Sequence, residues 1–351
     1  MNTQPTSPRW RPLLVAVFGL AVWGLLAAPR GWAQSDTFEE AVDAYQFAEY
    51  QRAVDLFSEV AQDTAVDREV RKEALRYLGR AYIARGNQDQ ARVAIKQLVE
   101  TEPPLVELDP NREPPPIMDL YYEVRKQLEG GYGVQKEDPG LQTLAIMDFT
   151  NSSVDEKERF DPLSKGFPSM MINYMNGSTD LKVIERERIQ WLLKELELQR
   201  QPELIDQSTA VRTGKLLGAQ SVLFGGFTVH RDRMWISARL VKVETGEIML
   251  AEQIFGEPDE FFELVEDLSM QVTRAINVEL EETQLGTGDA TRSLDAQIAF
   301  ADGLAELENG NYRAAYEKFL EALEYDPNYQ LAELKAESLK PMLAARGAES
   351  G

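Results

Sequence analysis

The sequence predicts an α/β core domain with a mixed sheet, flanked on both sides by all-α helical repeats. Three observations predict this class. The middle of the chain alternates short apolar runs with amphipathic segments, as α/β domains do. The two ends carry similar helix-turn-helix patterns. Two runs of alternating residues flank Glu244–Glu247, which indicates a β-hairpin. A chain of 351 residues has room for two or three such domains.

The first 33 residues predict a cleaved secretory signal peptide. Arg9 and Arg11 form a basic start, residues 13–28 are a short apolar stretch, and a small-x-small site ends at Ala33. The apolar stretch is short for a helix that spans a bilayer, so an uncleaved anchor is the alternative. No later segment approaches the length of apolar sequence that a spanning helix needs. We therefore expect an exported protein.

Composition narrows the classes of function. The net charge is −22, and the signal peptide would remove three arginines from the mature chain. Such acidity disfavours nucleic acid and anionic lipid as partners. The chain has no cysteine, so it has neither disulfides nor a lipid-bearing Cys. With one histidine in addition, a zinc site is not expected, and we predict no metal and no cofactor.

Residues 34–130 predict the N-terminal helical repeats. Glycine and alanine fall where two helices would touch closely, large apolar residues fill the seam, and a proline ends the second helix. In the second copy these are Leu78, Gly79, Tyr82, Gly86, Ala91, Ile95, Leu98 and Pro103, at the spacing of a tetratricopeptide (TPR) repeat. The first copy matches more weakly, at Ala48, Tyr50, Ala53 and Phe57.

The remaining domains are delimited by composition. Residues 131–140 and 285–292 predict linkers, because they are rich in glycine and polar residues. Between them, residues 141–284 predict the α/β domain. Residues 293–346 predict a C-terminal TPR copy, which matches at Gly303, Gly310, Ala315, Phe319, Ala322 and Pro327. Since one copy cannot bury both of its faces, we expect it to dock on the α/β domain of its own chain or of a neighbour.

Four runs in the middle of the chain resemble the CsgG family, named for the curli production assembly and transport channel. They occupy residues 144–151, 181–199, 213–228 and 236–252, in the order that the family has. The resemblance implies a periplasmic α/β domain, which in the channel itself forms rings in the outer membrane. Related domains in penicillin-binding-protein activators and flagellar accessory proteins do not form channels.

Two departures from the channel pattern decide how the hairpin is interpreted. The channel's membrane hairpins lie in long insertions, whereas here only residues 230–233 and 256–260 stand at those places. Arg239 would also face lipid, at a cost of about 2–4 kcal/mol near the bilayer midplane. We therefore expect the hairpin in the sheet of the α/β domain. The sequence predicts a non-enzymatic periplasmic scaffold of a curli-like assembly or secretion system. It would be at most peripheral to the outer membrane; the alternative is a secretion channel component.

Residues with catalytic potential have simpler interpretations. His230 falls in a predicted turn, and no nucleophile motif such as G-x-S-x-G accompanies it. Residues 185–188 read Glu-Arg-Glu-Arg, which could suggest acid–base chemistry but also fits helix-end electrostatics at a strand–helix junction. Asp148 lies near the end of the first predicted strand, and no partner acid or base accompanies it in sequence. We predict that the protein is not an enzyme.

The best candidate binding residues are Arg76 and Arg80, on the predicted inner face of the second repeat. They stand one helical turn apart and are positioned to clamp a carboxylate of a protein partner. The alternative is a solvated helix face with ion pairs to Glu73 or to aspartates. We predict protein partners from the bacterial envelope, and a second copy of this chain is one candidate among them.

Overall fold

The computed structural model describes residues 30–101, 106–133, 140–176, 178–196, 206–279 and 291–349. Most of the predicted signal peptide, the repeat proline Pro103 and most of both predicted linkers lie outside these ranges. No helix within them combines the length and the apolar character that crossing a membrane requires.

The N-terminal helical unit (residues 30–133) is built from five consecutive helices. They are α1 (Arg30–Gln46), α2 (Tyr50–Gln62), α3 (Arg68–Ala84), α4 (Gln88–Glu100) and α5 (Pro115–Glu129). Gly86 adopts φ +71° at the turn between α3 and α4, and Asn87 then caps α4. Prolines at the start of α5 and the left-handed Gly130 at its end delimit that helix.

Close helix contacts occur at the glycines that the repeat pattern singled out. A Cβ added to Gly79 would lie 2.9 Å from Cδ1 of Ile95, so α3 and α4 approach closely enough that a side chain there would require the end of Ile95 to move. In the C-terminal unit a Cβ at Gly303 would lie 2.5 Å from the ring of Phe319. Whether these helix pairs are TPR units stays a prediction.

The α/β domain (residues 140–279) contains a five-stranded mixed sheet. Its strands are β1 (Gln142–Asn151), β2 (Leu181–Val183), β3 (Ser221–His230), β4 (Arg233–Lys242) and β5 (Ile248–Gly256). The spatial order is β2-β1-β3-β4-β5, with β2, β1 and β3 parallel and β3, β4 and β5 antiparallel. The hairpin predicted around Glu244–Glu247 is β4–β5, at one edge of this sheet.

Helices cover the two faces of the sheet unequally. One face packs against α7 (Leu163–Met175) and α10 (Phe261–Ala275), which share a core with Ile146, Phe227 and Ile236. The other face packs against α8 (Arg186–Glu195) and α9 (Gln207–Leu217) near Ala145 and Val222. A short helix, α6 (Lys157–Phe160), follows β1. The predicted fold class, a mixed-sheet α/β core with helical flanks, is confirmed.

The C-terminal helical unit (residues 291–349) docks on the α/β domain of the same chain. It consists of α11 (Leu294–Glu308), α12 (Tyr312–Tyr325) and α13 (Gln330–Glu349). A Cβ at Gly166 of α7 would lie 3.2 Å from Cβ of Ala301, so α11 and α7 touch closely. Helix α13 reaches the N-terminal helical unit, where the Tyr50 hydroxyl donates to the Pro341 carbonyl at 3.0 Å. Of the two docking alternatives, the structure shows the intramolecular one.

Candidate partner-binding site

The two arginines predicted to clamp a carboxylate hold one from the same chain. Arg76 Nε lies 2.6 Å from Oε1 of Glu113. Arg80 holds both oxygens of that carboxylate, with Nε 2.7 Å from Oε2 and Nη2 2.7 Å from Oε1. The Glu113 side chain is fully buried. A buried carboxylate requires paired cations and hydrogen bonds, so these two arginines are what make the buried position of Glu113 tolerable.

Helix geometry brings the three residues together. Arg76 and Arg80 share one face of α3 because they are four residues apart. Glu113 directly precedes Pro114, the N-cap of α5, and α5 packs against α3 and α4. The spacing of the arginines was visible in the sequence. Glu113 was not, because it stands 37 residues from Arg76 and belongs to no repeat pattern.

Both sequence interpretations of these arginines have a counterpart in the structure. The carboxylate clamp exists, and Arg76 Nη1 also pairs with Glu73 Oε1 at 2.7 Å, as the alternative expected. The carboxylate in the clamp is intramolecular, so a partner's carboxylate would have to compete with a buried residue. Binding of a partner by Arg76 and Arg80 stays a prediction.

A groove opens beside the clamp, between α3 and α13. It encloses a cavity of about 520 Å³, lined among others by Tyr45, Tyr77, Arg80, Arg112 and Glu337. The Arg112 side chain is 60% exposed and pairs with Asp109 at 3.3 Å. Of the three arginines that line the groove, Arg112 is the most exposed, since the side chains of Arg76 and Arg80 are 24% and 14% exposed. The groove therefore offers aromatic side chains and one largely exposed cation, next to a clamp that Glu113 already occupies.

A second ionic cluster lies where the α/β domain meets the C-terminal helical unit. Arg186, at the start of α8, pairs with Glu308 of α11 and lies 3.4 Å from Oδ1 of Asp148. Lys165 of α7 pairs with the same two carboxylates, at 3.1 Å from Asp148 Oδ2. Asp148 stands in the irregular stretch of β1, where a β-bulge shifts the register and redirects side chains.

The two residues that follow Arg186 extend this junction to helix α13 and to the N-terminal helical unit. Glu187 Oε1 lies 2.7 Å from Nζ of Lys335 on α13, and the same ammonium donates to the Pro110 carbonyl at 3.0 Å. Arg188 donates to the backbone carbonyls of Tyr132 and Gly133, at 2.9 and 3.0 Å, just after α5. One short run of the α/β domain thus binds both helical units.

Burial and pairing shift the acidity of the junction carboxyls. Burial disfavours the charged form of Asp148, but Arg186 and Lys165 outweigh that effect and lower its pKa. For Glu187, burial is likewise outweighed, chiefly by Lys335, and the pKa is lowered. Burial dominates for Glu185, whose pKa is raised. Asp148 and Glu187 therefore function as fixed anions.

Three of the residues 185–188 contact other units of the chain. Arg186 and Glu187 pair with the C-terminal helical unit, and Arg188 binds the end of the N-terminal helical unit. The sequence placed these charges at the start of α8 but did not show that their partners belong to other domains; the absence of a catalytic role stays a prediction. Arg186 and Glu308 are 122 residues apart, so no local pattern signals their contact.

His230 ends β3 at the turn to β4, as the sequence predicted. Its Nδ1 lies 3.0 Å from Oδ2 of Asp155, and the imidazole is 40% exposed. Arg231 and Asp232 follow with φ of 50° and 59°, which is the left-handed pair that a type I′ hairpin turn requires. Within the described ranges, no three residues among His, Cys, Asp and Glu come together as a metal site would need.

Comparison with known proteins finds one family model that matches part of the central domain. The family described as curli production assembly/transport component CsgG matches residues 134–230. The match covers strands β1 to β3 with the helices between them, and it ends where hairpin β4–β5 begins. The fourth run that resembled the family in sequence, 236–252, lies outside the matched residues. No curated protein matches the chain.

Solved structures show distant likenesses. The C-terminal domain of LpoB from Salmonella enterica is 15% identical, with 38% of this chain and 91% of that chain covered at a TM-score of 0.26. The same domain from Escherichia coli is 16% identical, with 35% and 87% covered and a TM-score of 0.25. Lipoprotein GNA1162 from Neisseria meningitidis is 13% identical, with 37% and 96% covered and a TM-score of 0.26. At this distance these likenesses carry no argument about function.

Proposed function

We propose that this protein is a non-enzymatic accessory or scaffold protein of the bacterial envelope. It holds protein partners of a curli-like assembly or secretion system through its helical surfaces. The observation that carries the proposal is the match of the CsgG family to residues 134–230, with a helical unit docked on each side of that domain. Periplasmic location follows from the predicted signal peptide and is part of the proposal.

The junction supports a scaffold because it holds the three units in one arrangement. Arg186 binds the C-terminal helical unit, Glu187 binds α13, and Arg188 binds the end of the N-terminal helical unit. Buried ion pairs fix geometry more than they add stability. A fixed arrangement presents the groove between α3 and α13 as a preformed surface, which lowers the entropic cost of binding.

The residues that suggested chemistry support a non-enzymatic role. Residues 186–188 are engaged between units, and His230 pairs with Asp155 in an exposed turn. Asp148 is held between two cations, which keeps it ionised and unable to donate a proton at neutral pH. A general acid or base needs a pKa near the working pH, and this environment moves Asp148 away from it.

Cell fractionation tests the location. We expect the processed protein in the periplasmic fraction, with any membrane-associated part released by carbonate washing. Recovery only after detergent extraction of the outer membrane, together with conductance across lipid bilayers, would instead support the channel alternative. Recovery in the cytoplasm would contradict the proposal.

Cross-linking and mass spectrometry then test partner binding through the groove. Arg112→Glu reverses the accessible charge of the groove and leaves the Glu113 clamp intact. Arg85→Glu is the matched control, because Arg85 is an exposed arginine at the end of α3 away from the groove. We expect cross-links from the groove to one envelope protein, weakened by Arg112→Glu and unchanged by Arg85→Glu. Equal cross-linking by both variants would remove the groove from the proposal.

A further inference from the structure

The outer half of the sheet has one face that no described element covers. Helices α8 and α9 pack only on its inner half, near Val222 and Val241. Further out, the register aligns Thr228, Trp235 and Phe255 in one row across β3, β4 and β5. The next rows bring Ser237 opposite Gln253 and Arg239 opposite Ala251. We call this surface the open sheet face; its side chains are those of Thr228, Arg233, Trp235, Ser237, Arg239, Gln253 and Phe255.

The residue types of the open sheet face are those of binding hot spots. Phe255 is 59% exposed, and Trp235 beside it is half-buried. Arg233 lies over the Phe255 ring, 5.9 Å from its centroid. Tryptophan and arginine are the side chains that contribute most often to protein interfaces, and exposed aromatic residues among them mark a contact surface.

Charge sets this face apart from the rest of the chain. The protein carries 59 acidic residues against 37 basic ones. Even so, Arg233 and Arg239 form no ion pair with any residue that the structure describes, whereas most buried arginines are paired. Two exposed arginines without a described counter-ion favour an acidic occupant. Two copies of a chain with a net charge of −22 repel each other, which favours a different protein as that occupant.

The adjacent edge of the sheet is also open. β5 is the outermost strand, so one row of its backbone N–H and C=O groups lacks a strand partner among the described residues. Its nine residues contain no proline and no lysine, and Glu252 is the one charged side chain. The one irregularity in its pairing with β4 lies at Met249, near the start of the strand. Exposed edges normally carry charges, prolines or bulges that prevent pairing. An edge with so few of these features is suited to accept another strand.

We propose that β5 accepts an extended acidic segment of a partner protein, which adds to the sheet edge and pairs its carboxylates with the arginines of the open sheet face. Ala251, opposite Arg239, is too small to block that arginine, so the guanidinium has a clear path toward the edge. A glutamate of the added strand and Arg239 would meet across two strand spacings, about 10 Å between backbones. Backbone hydrogen bonds supply affinity, and the side chains supply specificity.

The register also predicts the spacing of the partner's side chains. Ala251 and Phe255 point to the same face of β5, four residues apart. A segment that satisfies both positions carries an acidic residue and an apolar or aromatic residue four positions apart. Its intervening residues favour β structure, and it contains no proline at a position that pairs with β5. The inference rests on the proposed function for the existence of a partner and adds the surface and the chemistry of that partner.

A synthetic peptide of about a dozen residues tests the proposal with the full-length mature protein. Phenylalanine stands at its centre, with a glutamate four residues to each side, so that either strand direction meets the requirement. The control peptide has lysine in place of both glutamates. We expect the acidic peptide to bind at least about ten-fold more tightly. We also expect it to slow hydrogen exchange of the β5 amides, which a purely electrostatic surface contact would not do.

Two matched variants complete the test. Arg239→Glu should weaken binding of the acidic peptide about ten-fold and improve binding of the lysine peptide, whereas Arg85→Glu should change neither. Equal affinity for the two peptides, no binding, or protection confined to the groove between α3 and α13 would overturn the inference. Protection of β5 without peptide, rising with protein concentration, would overturn it in favour of self-association.

These outcomes are separable from those of the proposed function. A partner cross-linked at the groove, with no peptide binding at β5, would keep the scaffold proposal and remove this one. Peptide binding at β5 in a protein that fractionates with the cytoplasm would keep this inference and remove the scaffold proposal.

Discussion

Arginines serve opposite purposes at the domain junction and on the open sheet face. Arg186, in the junction, is 6% exposed at its side chain and contacts two carboxylates from different elements. Arg239, in the same domain, is exposed and has no described ion-pair partner. An arginine in an acidic chain is therefore not automatically available to bind a partner. Burial and an intramolecular carboxylate decide whether it holds the fold or remains available to a partner.

Arg76 and Arg80 belong on the junction side of this comparison. Sequence spacing predicted that they clamp a carboxylate, and they do, but the carboxylate is the buried Glu113. A substitution of either arginine therefore changes the stability of the fold, whether or not it also weakens partner binding. Substitutions at the clamp, the junction and the open sheet face should lower stability by different amounts, most at the clamp.

The double variant Arg76→Gln/Arg80→Gln should have the largest effect. It leaves the fully buried Glu113 carboxylate without a cation, and removing one side of a buried pair costs about 3–5 kcal/mol. Denaturant unfolding measures the loss of stability. Adding Glu113→Gln to the double variant should recover part of it, because the orphaned charge is then gone. A double variant as stable as the wild type would show that Glu113 is solvated and that the arginines are free for partners.

Arg186→Gln should rank next, at about 3 kcal/mol. Asp148 and Glu308 lose a shared cation, but both are about one-fifth exposed and Lys165 still contacts them, so the cost falls at the lower end of the range for buried pairs. The loss should appear as undocking of the C-terminal helical unit. Hydrogen exchange of α11 and α7 should rise together, while α3 and α4 stay protected. Uniform exchange over all three units would mean that they unfold as one.

The sequence predicted what local chemistry determines and missed what distant contacts determine. Gly79 and Gly303 marked close helix contacts, because a residue without a side chain lets two helices approach. The hairpin β4–β5 was visible from alternation. The pairing of Arg186 with Glu308 was not, since a chain with 59 acidic residues offers many equivalent carboxylates. The same limit hid Glu113.

Gly303→Ala tests helix packing within the C-terminal helical unit, apart from the ion pairs of the junction. The new methyl group would lie 2.5 Å from the ring of Phe319, which is fully buried and has little room to move. Overpacking of this kind costs about 1–3 kcal/mol. Gly131→Ala is the control, because a Cβ there meets nothing within 4 Å, and it should stay within about 0.5 kcal/mol. If Gly303→Ala leaves the stability unchanged, the contact between α11 and α12 is looser than the structure shows.

The turn beside the open sheet face offers a gain of stability. Arg231 and Asp232 both occupy the left-handed region, which favours asparagine and glycine. Arg231→Asn/Asp232→Gly should therefore stabilise the protein by about 1 kcal/mol, measured by thermal melting. Gly246→Ala, in the next turn at φ +74°, should destabilise it by a similar amount. A loss of stability in the double variant would mean that the arginine side chain contributes a contact that outweighs its backbone strain.

Arg239→Gln should have the smallest effect, within about 0.5 kcal/mol of the wild type. The substitution removes an exposed charge that has no described counter-ion, so little native interaction is lost, and the acidic chain loses only one favourable long-range attraction. The experiment is the same denaturant unfolding that is applied to Arg186→Gln, which makes the two values directly comparable. Because Arg186 is buried and Arg239 is exposed, Arg186→Gln should lower the free energy of unfolding several-fold more than Arg239→Gln does. If Arg239→Gln costs more than about 1 kcal/mol, Arg239 has a partner within the chain, and the open sheet face is not available to an acidic strand.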